Sequence, residues 1–195
     1  PFLFFIFEAL EVDKSYLMHL AVGTSFAIII PTSIVSVYTH YKHKSVDLNI
    51  VKTYGLFVVV GVILGTTFAA LMKTKSLIIF FTIVVFCLAT YLLVSSDQQK
   101  KSKNKFKIYF RIIFGLLSGF ISAPMGIGGA VMNVPILKYF GYPIKRAIGS
   151  AASIGFVIAL FGAIGFLYSG SLLKVNLPLS IGFINIPAFL IFIPI

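Results

Sequence analysis

Long apolar runs separated by short polar segments set the pattern of this sequence. A helix needs about 20 mostly apolar residues to cross the roughly 30 Å hydrocarbon core of a bilayer. Runs of that length predict membrane-spanning helices over 18–40, 51–72, 76–95, 146–168 and 176–195, the last of them cut short. Residues 1–7 resemble the end of a helix. The apolar pattern from 106 to about 140 is too long for one straight span.

The composition assigns the class of protein. Hydrophobic residues make up 59% of the chain and the mean hydropathy is +1.05, whereas soluble domains are about 45–50% apolar. Lipid-exposed backbone must form its hydrogen bonds internally, so the spans are predicted to be helical. The alternating segments of a membrane β-barrel are absent from the sequence. We therefore predict an all-α polytopic transmembrane helix bundle, with the lipid bilayer as its partner.

The charge pattern predicts an orientation. The net charge of +11 is carried between the spans, where it sets topology rather than binding nucleic acid. If each apolar run crosses once, the loops around 41–52, 96–111 and 169–175 share the more basic side, which is then cytoplasmic. This predicts a multi-pass protein of a bacterial inner (plasma) membrane. The pair Lys145-Arg146 would fall on the opposite side, against the rule.

A five-residue element predicts an internal repeat. Ala21-Val22-Gly23-Thr24-Ser25 recurs as Ala147-Ile148-Gly149-Ser150-Ala151. Each repeat would hold about four spans, and an even number predicts that both halves run in the same direction, related by an axis along the membrane normal. We expect two tandem four-span repeats, truncated at both ends, since the chain starts at Pro1 and stops at Ile195 inside apolar runs. The first would cover 1–99, a basic cytoplasmic linker 100–111, and the second 112–195.

A cluster of helix-breaking residues lies inside the overlong apolar run. Pro124 precedes Gly126, Gly128 and Gly129; in a helix each glycine costs about 1 kcal/mol and the proline about 3. The helix should break near the middle of the bilayer and restart within 127–135. The N–H groups of Gly128, Gly129 and Ala130 would then form an anion site at a helix N-terminus.

Two further features belong to this stretch. Asn133 is predicted to face the cavity made by the broken helix. The alternative is a close-packing helix face, because Gly115, Gly119 and Ser122 follow the spacing that lets helices approach each other. We expect packing at Gly115 and Gly119, and leave both interpretations open for the later glycines.

Paired hydroxyl residues are the second candidate. Thr24, Ser25 and Ser150 follow glycines near helix starts, where hydroxyls can bond an oxyanion, although hydroxyls in membrane helices usually bond their own backbone. His19 lies close to them and titrates in the range that suits proton coupling; the alternative is an interfacial cap.

The absence of acids from the spans limits the chemistry. No Asp or Glu lies within 18–40, 51–72, 76–95 or 112–137. Intramembrane carboxylates are the usual proton relays and metal ligands, and Cys87 is the single cysteine. We therefore predict no enzyme, no metal site and no cofactor. No P-loop pattern is present, so coupling to an ion gradient is expected.

These residues resemble the sulfite exporter TauE/SafE family of permeases. That family carries Gly-Ile-Gly-Gly-Gly, a Val-Pro pair and Ala-Val-Gly-Thr-Ser in each of two repeats. Here the second repeat reads Gly126-Ile127-Gly128-Gly129-Ala130 with Val134-Pro135, and the first supplies Ala21-Val22-Gly23-Thr24-Ser25. Alanine stands at 130 and 151 in place of the third glycine and the second hydroxyl, so the two halves should contribute unequally.

The resemblance implies about eight spans in the intact protein and a substrate among sulfite, thiosulfate and sulfonates. We expect a secondary transporter of small anions that works by alternating access. A channel, or a membrane protein without transport activity, is the alternative. Neither the direction of transport nor the oligomeric state follows from the sequence.

Overall fold

The computed structural model describes residues 2–94, 107–173, 177 and 179–193. Its helices and strands are α1 Phe2–Ala9, α2 Leu17–Lys42, α3 Leu48–Leu71, α4 Thr74–Val94, α5 Ile108–Met125, α6 Ala130–Tyr139, α7 Ile144–Leu172, β1 Ser180–Ile181, β2 Ile184–Asn185 and α8 Ile186–Phe192. Within this part of the chain, α2, α3, α4, α5 and α7 are long and apolar enough to cross a membrane. The predicted all-α polytopic bundle is confirmed. Of the predicted linker at 100–111, residues 100–106 lie outside the described residues, and Ile108–Arg111 begin α5.

Helices α3 and α5 pack in parallel along a seam of glycines. Glycines on one helix lie against the backbone of the other, so that Gly115 lies against Tyr54 and Val58, and Gly65 lies against Phe120. A Cβ atom at Gly65 would come within 2.6 Å of the Phe120 carbonyl oxygen. Backbones this close need residues without side chains, which confirms the predicted packing role of Gly115. Gly119 makes the same kind of contact with Val58.

Helices α2 and α7 form the second central pair, and they run antiparallel. Gly23 of α2 faces Phe166, and Phe26, further along α2, faces Gly162, earlier in α7. These are the two helices that carry the repeated five-residue element. The prediction that the equivalent helices run in the same direction is therefore wrong.

The reason is the hairpin formed by α5 and α6. The ring of Phe110, near the start of α5, lies 5.4 Å from the ring of Phe140, which follows α6. The chain therefore enters and leaves this hairpin at the same end of the bundle. Among the helices described between the starts of α2 and α7, α2, α3 and α4 carry the chain to the other end, and α5 and α6 together return it. This odd number gives antiparallel equivalents.

The hairpin also changes which charges share an end. We call one end of the bundle the basic end. It holds the α2–α3 turn (43–47), the start of α5 and the α6–α7 turn (140–143). Its described cations are Lys42, Lys44, Lys52, Lys107, Arg111, Lys138, Lys145 and Arg146. The acidic end holds the α1–α2 connection, the α3–α4 turn and the β1–β2 hairpin. Its described charges are Glu8, Glu11, Asp13, Lys14, Lys73 and Lys75.

The predicted placement of Lys145-Arg146 opposite the basic loops is thus wrong, because the α5–α6 hairpin returns the chain to its own side. The corrected distribution follows the positive-inside rule more closely than the predicted one. Helix α4 stands apart from this core: few of its residues are buried, and the Thr74 hydroxyl at its start donates to the Ser15 carbonyl at 2.6 Å.

Candidate functional site

The predicted helix break lies at 126–129. Helix α5 ends at Met125, and Gly126 adopts a left-handed conformation with φ of 64°, which glycine reaches without steric cost. Helix α6 starts at Ala130 with Gly129 as its N-cap. The Ala130 N–H donates to the Gly128 carbonyl, so it is not free for an anion as predicted. Among the described residues, neither the Gly128 nor the Gly129 N–H has a backbone acceptor.

The connection at 126–129 is held between α2 and α7. A Cβ atom at Gly126 would lie 3.2 Å from Val22 of α2, and one at Gly128 would lie 3.3 Å from Ile29. On the other side, Gly129 faces Ile158 of α7. The break is therefore in the interior of the bundle, against both helices of the antiparallel pair, as a site between two halves requires.

Asn133 fixes the start of α6 to two other helices. Its side chain is fully buried. Its Oδ1 accepts from the Tyr54 hydroxyl of α3 at 2.6 Å and from the Ser118 hydroxyl of α5 at 2.8 Å. Its Nδ2 donates to the Gly129 carbonyl at 2.6 Å. A buried amide with this set of partners holds the half-helix in place and orients the Gly129 peptide.

Sequence reasoning missed Tyr54 and Ser118. Both are buried polar residues within apolar helices, and buried polar groups need partners. A search for polar side chains that have no assigned role within the spans would have identified both residues, together with Asn133. Their pairing across three helices has no signature in local spacing.

The paired hydroxyls are placed differently from the glycines. The Thr24 Oγ1 atom, fully buried, accepts from the Asn185 N–H at 3.0 Å. The Ser150 Oγ atom, also fully buried, accepts from the Asp47 N–H at 2.9 Å. The Ser25 hydroxyl donates to the Ala21 carbonyl of its own helix at 2.8 Å.

Thr24 and Ser150 lie near opposite ends of the α2–α7 pair. Thr24 is level with the stretch of α7 from Gly162 to Phe166. At a rise of 1.5 Å per residue, this puts it roughly 20 Å from Ser150 along the bundle. The structure therefore brings Gly126, Gly128, Gly129 and Asn133 together but does not join both hydroxyls to them. A single small anion does not contact all of the predicted residues in this conformation.

His19 lies toward the acidic end. Its Nε2–H donates to the Ala69 carbonyl at 2.9 Å, since a carbonyl only accepts. Its Nδ1 atom is buried and has no hydrogen-bond partner among the described residues. The ring of Phe183 lies 5.2 Å from the imidazole. The imidazole is therefore buried in the first turn of α2 and caps a carbonyl in the last turn of α3.

A tyrosine and three charged residues interact at the basic end. Tyr142 lies in the α6–α7 turn, where burial raises the pKa of its hydroxyl and the Asp47 carboxylate raises it further. The guanidinium groups of Arg111 and Arg146 act in the opposite direction. The Arg111 side chain also donates to the Thr53 hydroxyl at 2.6 Å.

The space beside the half-helix is mostly apolar. A recess of about 10 Å³ adjoins Gly129 and Met132, which is room for about one water molecule at most. A larger groove of about 380 Å³ lies between α4, α5 and α6, with Ser118 among its lining residues. The recess that adjoins Gly129 is thus too small for an anion in this conformation.

The sequence is similar to proteins of several organisms. The chain is 33% identical to a probable membrane transporter protein of Haemophilus influenzae, over 97% of this chain and 72% of that protein. It is 29% identical to a probable membrane transporter protein of Methanocaldococcus jannaschii, over 98% and 70% respectively. A Bacillus subtilis relative with the same description is 24% identical over 78% of this chain. No solved structure matches the chain significantly.

The apolar helices and these relatives identify a multi-pass integral membrane protein of the transporter class. Residues 1–195 match the model of a family described as sulfite exporter TauE/SafE. The chain belongs to that family, as its motifs indicated.

Proposed function

We propose that this protein is a secondary transporter of small anions, sulfur oxyanions or sulfonates in particular, in a bacterial inner membrane. The observation that carries the proposal is the helix break at 126–129, where Gly129 is buried and 126–128 are half-buried. There the N-terminus of α6 meets α2 and α7, and Asn133 holds its first turn. N–H groups at a helix N-terminus bind anions without a cationic side chain.

The anion would sit against Gly126, Gly128, Gly129 and Asn133. The N–H groups of Gly128 and Gly129 would bind its oxygens, and the Asn133 amide, already bonded to the Gly129 carbonyl, would keep that peptide oriented. Oxyanions such as sulfite and thiosulfate present several acceptor oxygens and no donor, which suits a site built from N–H groups. Family membership supports a sulfur anion.

Alternating access fits the space around the site. The recess beside Gly129 is too small for sulfite in this conformation, so a substrate requires the surrounding helices to move. His19 is our candidate for proton coupling, because its Nδ1 atom is buried and unpartnered within the described residues. A protonated imidazole would need an acceptor there, which a movement of the helices would have to supply.

Flux measurements in proteoliposomes test the proposal. We expect saturable uptake of sulfite, thiosulfate or a small sulfonate that responds to a pH gradient. The double change Gly128→Leu and Gly129→Leu should abolish it, while Gly55→Ala, where an added Cβ meets nothing within 4 Å, should keep it. Flux that neither saturates nor responds to the gradient would favour a channel. Absence of flux for every sulfur anion would contradict the proposal.

A further inference from the structure

Two similar hydrogen bonds connect α2 and α7 to loops. Each of these helices bonds the loop that follows the other helix. In one, the Ser150 hydroxyl of α7 accepts from the N–H of Asp47, in the turn that follows α2. In the other, the Thr24 hydroxyl of α2 accepts from the N–H of Asn185, in the hairpin that follows α7. Each long helix thus binds the loop that comes after the other one.

The backbone geometry around both contacts is the same. The residue before each hydroxyl is a glycine, and it lies directly against a carbonyl two residues before the N–H donor. Gly149 contacts the Ser45 carbonyl, and Gly23 contacts that of Phe183. A Cβ atom on either glycine would overlap the carbonyl oxygen. The glycine before each hydroxyl is therefore required for the loop to come this close to the helix.

The donor residues are also alike, since each caps the helix that follows. The Asp47 carboxylate accepts from the N–H groups of Asn49 and Ile50 at the start of α3. The Asn185 side chain accepts from the Ala188 N–H at the start of α8. A movement at either contact is therefore transmitted to the orientation of the next helix.

The two contacts close opposite ends of the bundle. The Ser150–Asp47 contact is at the basic end, and the Thr24–Asn185 contact is at the acidic end, roughly 20 Å away along the antiparallel helix pair. The glycine break at 126–129 faces α2 and α7 between them. Both contacts are formed in this structure, in which the recess beside Gly129 holds about 10 Å³.

We propose that these contacts are two latches, one for each end of the transport path, and that each must open in turn. The basic latch is Ser150 with Asp47, and the acidic latch is Thr24 with Asn185. This rests on the proposed transport function and gives the two hydroxyls a gating role in place of direct substrate binding. Thr24, Ser150, Asp47 and Asn185 are positioning residues that act through helix movement.

Hydrogen exchange of the full-length protein in detergent tests the contacts without any substrate. Ser150→Ala should speed exchange about two- to tenfold, the range for loss of one hydrogen bond, in a peptide covering 43–47 but not in one covering 180–185. Thr24→Val should speed exchange in the peptide covering 180–185 and leave the peptide covering 43–47 unchanged. The matched controls are Ser153→Ala and Thr32→Ala, whose hydroxyls bond carbonyls of their own helices. These controls should change exchange in neither peptide. Equal effects at both ends, or none, would overturn the proposal.

Cross-linking tests whether the latches must open. In a Cys87→Ala background, the pairs Asp47→Cys with Ser150→Cys and Thr24→Cys with Asn185→Cys are oxidised in proteoliposomes. Thiosulfate flux should stop on oxidation of either pair and return on reduction, and each single cysteine should be insensitive. Undiminished flux through the cross-linked protein would overturn the gating role. If the parent protein carries no flux, the transport proposal fails instead, and the exchange experiment still decides whether the latches exist.

Discussion

Replacing Asn133 by leucine tests the polar network that holds the half-helix. Leucine has the same number and branching of side-chain heavy atoms as asparagine, although its methyl groups are bulkier. It removes the Asn133 acceptor for the Tyr54 and Ser118 hydroxyls and the donor to Gly129. A buried polar group left without its partner costs about 1–3 kcal/mol. Interhelical hydrogen bonds in membrane proteins average about 0.6 kcal/mol, with a maximum near 1.7. With two interhelical bonds lost, we expect destabilisation of about 1–3 kcal/mol.

A second variant isolates the network from the packing. In the triple variant Asn133→Leu, Tyr54→Phe and Ser118→Ala, the two hydroxyls that lose Asn133 as an acceptor are gone as well. Replacing all partners by apolar groups is close to neutral. Stability should therefore recover toward wild type, whereas transport should be absent from both variants, because neither retains the amide that orients the Gly129 peptide.

Thermal stability in detergent, followed by the fraction of monodisperse protein after heating, supplies the measurement. At about 3 °C per kcal/mol for a chain of this size, Asn133→Leu should lower the midpoint by about 3–9 °C, and the triple variant should regain most of that. A triple variant less stable than the single one would refute the reasoning. So would full transport by either variant.

Two further predictions use other parts of the structure. Gly65→Ala should destabilise the protein by about 1–3 kcal/mol in the same heating assay, because its Cβ would lie 2.6 Å from a backbone oxygen of Phe120 and overpacking costs this much. Gly55→Ala, on the same helix with nothing within 4 Å of the added Cβ, should be neutral or slightly stabilising. Equal losses of stability in the two variants would contradict the close packing of α3 against α5. The Tyr142 hydroxyl has a raised pKa in the folded protein, so the folded state keeps its proton longer than the unfolded state, and stability should fall as the pH rises above about 10. Tyr142→Phe should reduce this loss of stability at high pH. In a difference ultraviolet titration, Asp47→Asn should lower the pKa of Tyr142. An unchanged Tyr142 pKa in Asp47→Asn would rule out the electrostatic contact between the two residues.

Four of the five predicted spans and the helix break were predictable because their causes are local. The predicted span at 176–195 is wrong, because its described part forms the β1–β2 hairpin and the seven-residue helix α8. Apolar run lengths placed α2, α3, α4 and α7 within a few residues of their bounds. The low helix propensity of Pro124 and the glycines predicted an interruption, and the helix ends at Met125. Both inferences depend only on neighbouring residues and the thickness of the bilayer.

The direction of the helices was not predictable by the same means. The sequence shows that the run from 106 to 140 is broken, but not that the second piece returns to its starting side. That return depends on Phe110 packing with Phe140 and on Asn133 bonding to Tyr54 and Ser118. These contacts join residues distant in sequence, so run length and composition do not reveal them.

The short helix α6 has a consequence for how the protein is made. Its ten residues reach about 15 Å, half the hydrocarbon thickness, so it does not insert as an independent span. Its buried amide finds its partners on α3 and α5, both of which leave the ribosome earlier. We therefore expect the hairpin to enter the membrane only against helices already in place. A destabilising substitution in α3 should then lower the amount of protein in the membrane, through failed insertion and degradation, before any loss of transport is measured.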